Sequence, residues 1–162
     1  MTTRSVQILQ PNTTLRDRLG GRVPAFDAAA LARAEAALKE LSTQFQDWMD
    51  AEVVRLLGAR DQVKAQGFAD STLEVLFGVA HDLKGLGTTY EYPIVTEIAG
   101  SLCRLTETPQ ARAFARSQPH LVDAHVDAIR AAVRSQIKTN DHPVGKALLT
   151  ELTARIDAAI KA

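Results

Sequence analysis

Residues 77–89 read FGVAHDLKGLGTT, and this stretch determines how the rest of the chain is interpreted. Apolar side chains that recur every three or four positions predict that it belongs to a helix over residues 71–89. Gly78, Gly85 and Gly87 interrupt that helix, although each glycine costs about 0.5–1 kcal/mol relative to alanine. A helix tolerates glycines where its backbone has to come close to another element or molecule. The three glycines therefore indicate a point of close approach.

A helical wheel of the segment separates two strips of side chains. One strip lies within about 40° of its first member and carries Phe77, His81, Lys84 and Thr88. The core-facing strip carries Leu76, Ala80, Leu83 and Gly87. We therefore expect an imidazole at the edge of the core, with a cation one turn away and with Gly85 beside it. A histidine that accepts a phosphoryl group needs an accessible ring nitrogen, a positive charge near the phosphate and a bare surface for its partner.

Residues 80–85, AHDLKG, resemble the signature of histidine-containing phosphotransfer (HPt) domains, in which Ala-His is followed by Lys and Gly three and four positions after the histidine. The match is close around the histidine, and the helical pattern extends it loosely over residues 43–161. The resemblance implies that His81 accepts the phosphoryl group. It also implies that Lys84 stabilises the transferred phosphate and that Gly85 leaves room for the partner's loops.

The HPt family carries a phosphoryl group between aspartates of response-regulator receiver domains. The resemblance therefore implies a phosphoryl carrier rather than an enzyme, with receiver domains and a hybrid histidine kinase as partners. Its docking surface would consist of Gly85, Gly87, Thr88 and Phe77. The chain would need no cofactor of its own, because the receiver would supply Mg²⁺. The sequence correspondingly contains no Gly-x-x-x-x-Gly-Lys-Ser/Thr phosphate-binding loop.

Two positions near the signature leave its details open. The family often has another glycine ten positions after the histidine, whereas this chain has Glu91, followed by Tyr92 and Pro93. The helix is therefore expected to end early, which would alter the rim of the docking surface. Many members also place a polar side chain on the next helix to orient the imidazole. Ser101 and Arg104 are candidates, and the spacing does not decide between them.

The rest of the sequence predicts helices and no strand. Hydrophobic residues make up 46% of the chain and aromatic residues only 5%, which favours packed helices over a β-sandwich or barrel. We predict an all-α fold: an up-and-down antiparallel four-helix bundle with an additional N-terminal helix. Residues 25–162 would form this HPt-like bundle domain, and residues 1–24 a partly ordered N-terminal arm. An apolar stripe over residues 31–48, with Phe45 and Trp48 as core or helix-packing residues, fits either one long helix or two helices over 27–41 and 43–66.

Composition excludes several other classes of protein. The 19 basic and 19 acidic side chains cancel, which argues against nucleic acid as a partner. No apolar run is long enough to cross a membrane and no signal sequence is evident, so we expect a cytoplasmic protein, more readily a monomer than a dimer. A single cysteine, Cys103, excludes an intrachain disulfide and is expected to be a small buried hydrophobe. His120 and His125 are expected at the surface or at the boundary of the core, and we predict no metal site.

Other functions fit parts of the pattern. The run HDLK at residues 81–84 also suits the dimerisation and phosphoacceptor domain of a sensor histidine kinase. Such segments usually carry a proline soon after the basic residue, where this chain has residues 85–87, Gly-Leu-Gly. The stripe over residues 31–48 alternatively suits a non-catalytic helical scaffold that binds a partner helix. Asp82 is expected to be a structural surface acid rather than a proton acceptor.

Overall fold

The computed structural model describes residues 28–160, with side chains through residue 157. The chain divides into two units between Lys39 and Glu40. Within the described range there are six helices and no strand, so the fold is all-α as predicted. The helices are α1 (Ala28–Ala65), α2 (Asp70–Leu86), α3 (Pro93–Thr106), α4 (Pro109–Ser117), α5 (Pro119–Arg134) and α6 (Pro143–Ile160). No helix among them is both long and apolar enough to cross a membrane. The predicted arm over residues 1–24 lies outside the described residues.

Helix α1 is one continuous helix rather than two, and the side that it buries begins only at Met49. Its buried residues are Met49, Val53, Leu56, Ala59 and Val63. The apolar stripe over residues 31–48 is largely exposed, and Trp48, predicted as a core or helix-packing residue, is 45% exposed and so lies outside the core. Trp48 lies outside the buried side of α1 because it immediately precedes Met49, and successive residues of a helix are about 100° apart around its axis.

Prolines and one threonine set the starts of the later helices. Proline is the first residue of α3, α4, α5 and α6, where its fixed φ suits the helix and its missing N–H costs nothing. Thr108 caps α4, since its side chain accepts a hydrogen bond from the Ala111 N–H at 3.1 Å. Helix α2 ends at Leu86, three residues before the predicted end, and Glu91 adopts a positive φ of 65° in the following turn. The expected early end before Pro93 is therefore confirmed.

Contacts between the helices show which of them pack together and how α1 runs relative to α5. Helix α3 contributes the largest set of buried residues and packs against α2, α4, α5 and α6. Ion pairs join α1 to α5, with Arg60 Nη1 3.3 Å from Asp127 Oδ1 and Lys64 Nζ 3.1 Å from Asp123 Oδ2. Because the higher-numbered residue of α1 pairs with the lower-numbered residue of α5, these two helices run antiparallel.

His125 corrects the expectation of a surface or boundary histidine. It is fully buried between α5 and α3. Its Nδ1 lies 2.7 Å from the Leu121 carbonyl oxygen, and its Nε2 lies 3.0 Å from Ser101 Oγ. The carbonyl can only accept, so Nδ1 carries the proton and Nε2 accepts from the serine hydroxyl. Both ring nitrogens are thus satisfied by a neutral imidazole, which makes burial tolerable.

This burial predicts a pH-dependent stability. Desolvation, followed by the nearby charge of Arg104, lowers the pKa of His125, although the Leu121 carbonyl partly opposes that shift. The unfolded chain takes up a proton on this histidine near pH 6.5, while the folded protein takes it up only at a lower pH. We expect the free energy of unfolding contributed by this group to be constant above about pH 7 and to fall as the pH drops below about 6.5. Urea unfolding at several pH values measures it. His125→Leu should flatten the slope, whereas His120→Gln, at an exposed position, should not.

Candidate functional site

His81 lies on the outer side of α2, as the helical wheel predicts. Leu76, Ala80 and Leu83 are fully buried on the opposite side of the helix, and His81 is exposed. The half-buried Phe77 lies one turn earlier, with its ring centroid 5.9 Å from that of the imidazole and the planes inclined by 36°. The aromatic contact restricts the ring on one side and leaves the remainder of the imidazole facing solvent.

An open depression of about 430 Å³ adjoins the imidazole. Its lining residues are Arg55, His81, Asp82, Gly85 and Leu86. A Cβ atom added at Gly85 would meet no atom within 4 Å, and the same is true at Gly78, one turn before His81. The surface beside the histidine is therefore open at both glycines, and the role of Gly85 in leaving room for a partner stays a prediction.

Arg55 enters this depression from α1, and the sequence reasoning missed it. Its Nη1 lies 2.7 Å from Glu52 Oε2, and its Nη2 lies 3.5 Å from Asp82 Oδ2. Asp82 follows the histidine directly in the sequence, so the guanidinium is held next to the imidazole's own turn of helix. Nothing in the spacing around His81 could reveal an arginine on a different helix.

Lys84 is exposed one turn after His81 and leans towards α3 instead. A Cβ atom added at Gly100 would lie 3.8 Å from Lys84 Cδ and Cε, so the lysine stem runs past this glycine. Burial raises the pKa of Cys103 to about 11, and the charge of Lys84 partly opposes this rise. Lys84 does not line the depression beside His81. Of the two cations, Arg55 therefore reaches the depression from α1, whereas Lys84 belongs to α2 itself and its stem runs along α3.

Gly87 and Thr88 belong to the packing of α2 against α3. Gly87 is buried, and an added Cβ would lie 2.6 Å from Thr96 Oγ1, 2.8 Å from Thr96 N and 3.0 Å from Tyr92 O. The prediction that Gly87 forms part of a docking surface is therefore wrong, because its missing side chain admits the neighbouring helix. Thr88 is exposed as predicted, although its hydroxyl oxygen lies 3.1 Å from that of Thr96.

Neither candidate for orienting the imidazole contacts it. Ser101 is buried and hydrogen-bonded to His125, as described above. Arg104 Nη1 pairs with Asp157 Oδ1 on α6 at 2.7 Å. Both side chains are thus committed elsewhere, and among the described residues Phe77 is the side chain that makes a ring contact with His81.

An aromatic cluster lies at the end of α2. Phe45, Trp48 and Tyr90 form a triangle whose ring centroids are 5.7–5.8 Å apart. The sequence predicted Phe45 and Trp48 as core or helix-packing residues; they pack against Tyr90, and the cluster is only partly covered. Tyr90 lies in the turn that follows α2, so the cluster joins this turn to α1.

Neither a metal site nor similarity to a known protein suggests a function. Over residues 28–160, no group of three or more His, Cys, Asp or Glu side chains is arranged to hold a metal ion. Comparisons of the chain with protein-family models, with curated proteins and with solved structures found no match. A functional assignment therefore rests on the residues of the site.

Proposed function

We propose that this protein is a histidine phosphotransfer protein, in which His81 accepts a phosphoryl group from one receiver domain and returns it to another. The observation that carries the proposal is the exposed imidazole of His81 beside an open depression that also holds a guanidinium group. A receiver's active site has to close over the phosphoryl group during transfer. A low, glycine-bordered surface with positive charge suits that step.

The proposed chemistry is a reversible in-line displacement at phosphorus. An unprotonated ring nitrogen of His81 attacks the aspartyl phosphate of the receiver, so a P–N bond forms while the acyl phosphate P–O bond breaks. The aspartate leaves as a carboxylate, and the second ring nitrogen keeps its proton. In the return step a carboxylate of the second receiver attacks phosphorus and the P–N bond breaks. The receiver would bring the Mg²⁺ for this reaction, and this chain contributes the nucleophile and the cations around it.

The proposal includes the arrangement of the helices. We propose that α1, α2, α3 and α5 form an up-and-down four-helix bundle. In this proposal α4 and α6 are the added helices, in place of the predicted additional N-terminal helix, because α1 is one helix rather than two. The antiparallel ion pairs between α1 and α5 support this, as does the Arg55–Asp82 pair between α1 and α2. We also propose that the protein acts as a cytoplasmic monomer. Light scattering tests this state, since a constitutive dimer would favour the dimerisation domain of a sensor kinase instead.

The test of the function is a labelling experiment. The purified protein is mixed with a receiver domain that carries a ³²P-labelled aspartyl phosphate, and the transferred label is characterised. We expect acid-labile, base-stable label, as for phosphohistidine, and peptide mapping should locate it at His81. Label at another residue, or no label with any receiver of a panel, would contradict the proposal.

Lys84 should speed the transfer without supporting the fold. Lys84→Ala removes a positive charge one turn from His81, which would have to turn towards the phosphoryl group during transfer, and we expect transfer to slow by about tenfold. The lysine is exposed, so the unfolding midpoint should change little. Lys146→Ala on α6 is the matched control, because it removes an equally exposed lysine on another helix. Equal rates for the two variants would rule out a role for Lys84 in transfer.

A helical scaffold is the second candidate function. The exposed apolar side chains of α1, Leu41 and Trp48 among them, favour it because soluble proteins seldom expose several large apolar side chains along one helix. A scaffold predicts partner binding that survives His81→Gln unchanged and no phosphate on any histidine. The labelling experiment therefore separates the two functions.

A further inference from the structure

The ion pair between Arg55 and Asp82 has the properties of a replaceable contact. Its two charged atoms are 3.5 Å apart, and the side chains are 52% and 51% exposed. Exposed pairs of this kind contribute little to stability. The contact of Arg55 with Glu52 is closer, at 2.7 Å, and Glu52 is only 16% exposed. The guanidinium is thus anchored to its own helix on one side and weakly engaged on the side of the depression.

We propose that Arg55 is a phosphoryl-binding residue that leaves Asp82 and binds the phosphoryl oxygens once His81 is phosphorylated. The inference rests on the proposed function and extends it to a cation from a second helix. A phosphoryl group on the imidazole brings a charge of about −1.5 to −2 to the depression that Arg55 lines. Guanidinium binds phosphate oxygens through two parallel N–H donors, which the long single contact with Asp82 does not match.

Asp82 opposes the phosphoryl group in this arrangement. Before phosphorylation its carboxylate keeps the guanidinium at the depression. After phosphorylation the same carboxylate repels the new charge and competes for Arg55. Removal of the arginine and removal of the aspartate are therefore expected to act in opposite directions on the phosphoryl group. If the pair only tied α1 to α2, the two removals would break one contact and act alike.

The experiment follows the phosphoryl group itself by ³¹P NMR. All proteins carry His120→Gln and His142→Gln, so that His81 is the one exposed histidine left, since His125 is buried. Potassium phosphoramidate labels the histidine: its P–N bond breaks, ammonia leaves, and a new P–N bond forms to the imidazole. The ³¹P shift is then titrated with pH in this background and in Arg55→Gln, Arg55→Lys and Asp82→Asn.

We expect Arg55→Gln to raise the pH midpoint of the phosphoryl ionisation by about half a unit, because a nearby cation favours the dianion. Asp82→Asn should lower the midpoint, and Arg55→Lys should fall between the starting protein and Arg55→Gln. Arg130→Gln is the matched control, since Arg130 also forms an exposed pair with an acid three residues away on its helix, and it should leave the midpoint unchanged.

Each outcome bears separately on the role of Arg55 and on the proposed transfer function. Midpoints that stay fixed, or that move the same way in Arg55→Gln and Asp82→Asn, would overturn the role of Arg55, while receiver-dependent labelling of His81 would leave the proposed function standing. Opposite shifts without labelling by any receiver would support the phosphoryl site and contradict the transfer function. Failure of phosphoramidate to label His81 would overturn both.

Discussion

His81→Gln is expected to abolish uptake of phosphate from a phosphorylated receiver domain. Glutamine fills a similar volume and keeps a polar end, but its amide nitrogen has no free electron pair to attack phosphorus. The loss should be complete rather than partial, since no neighbouring group in the depression is a comparable nucleophile. Because the imidazole is exposed, the free energy of unfolding should stay within about 0.5 kcal/mol of the starting protein.

Two measurements check this result. Transfer of ³²P from the receiver gives the rate, and urea unfolding gives the stability of the same preparation. His120→Gln, an exposed histidine on α5, is the matched control and should transfer normally. Normal labelling of His81→Gln would mean that the acceptor is another residue.

Gly87→Ala is expected to have the largest effect on stability of the substitutions considered. The new methyl group would lie 2.8 Å from Thr96 N and 3.0 Å from Tyr92 O, which are backbone atoms and cannot rotate away. The turn between α2 and α3 would have to shift, at a cost of about 1–3 kcal/mol. Urea unfolding should report this as a lower midpoint.

Gly85→Ala provides the opposite control two residues earlier. An added Cβ there meets nothing within 4 Å, and the residue lies inside α2. Alanine should therefore stabilise the protein by up to about 1 kcal/mol through its better helix propensity. Two glycine substitutions with the same sign would contradict the packing described for α2 and α3.

The sequence predicted best what depends on local spacing. The period of apolar residues placed Leu76, Ala80 and Leu83 in the core and His81 outside it, and both placements are confirmed. The proline at residue 93 likewise indicated that α2 would end early, as it does at Leu86. The all-helical class followed from the same signals. Such features are encoded within a few residues of where they act.

The features that depend on packing between helices escaped prediction. Arg55 reaches the site from another helix, so a helical wheel of α2 cannot include it. The helical wheel placed Gly87 on the core-facing strip, whereas the resemblance placed it on the docking surface, and only its close approach to Thr96 and Tyr92 decides for the buried role. His125 was predicted at the surface or at the boundary of the core, but it is buried, and Ser101 satisfies its second ring nitrogen. In each case the deciding neighbour is distant in sequence, so a local pattern cannot supply it.

The aromatic triangle gives the protein a built-in optical reporter. Trp48 is the only tryptophan, it is 45% exposed, and it contacts Tyr90 just beyond the end of α2. On α1 it precedes Arg55 by seven residues, about 10 Å along the axis. A partner protein that binds over His81 would change the solvation of the Trp48 indole. The tryptophan emission spectrum would then follow complex formation without any attached dye.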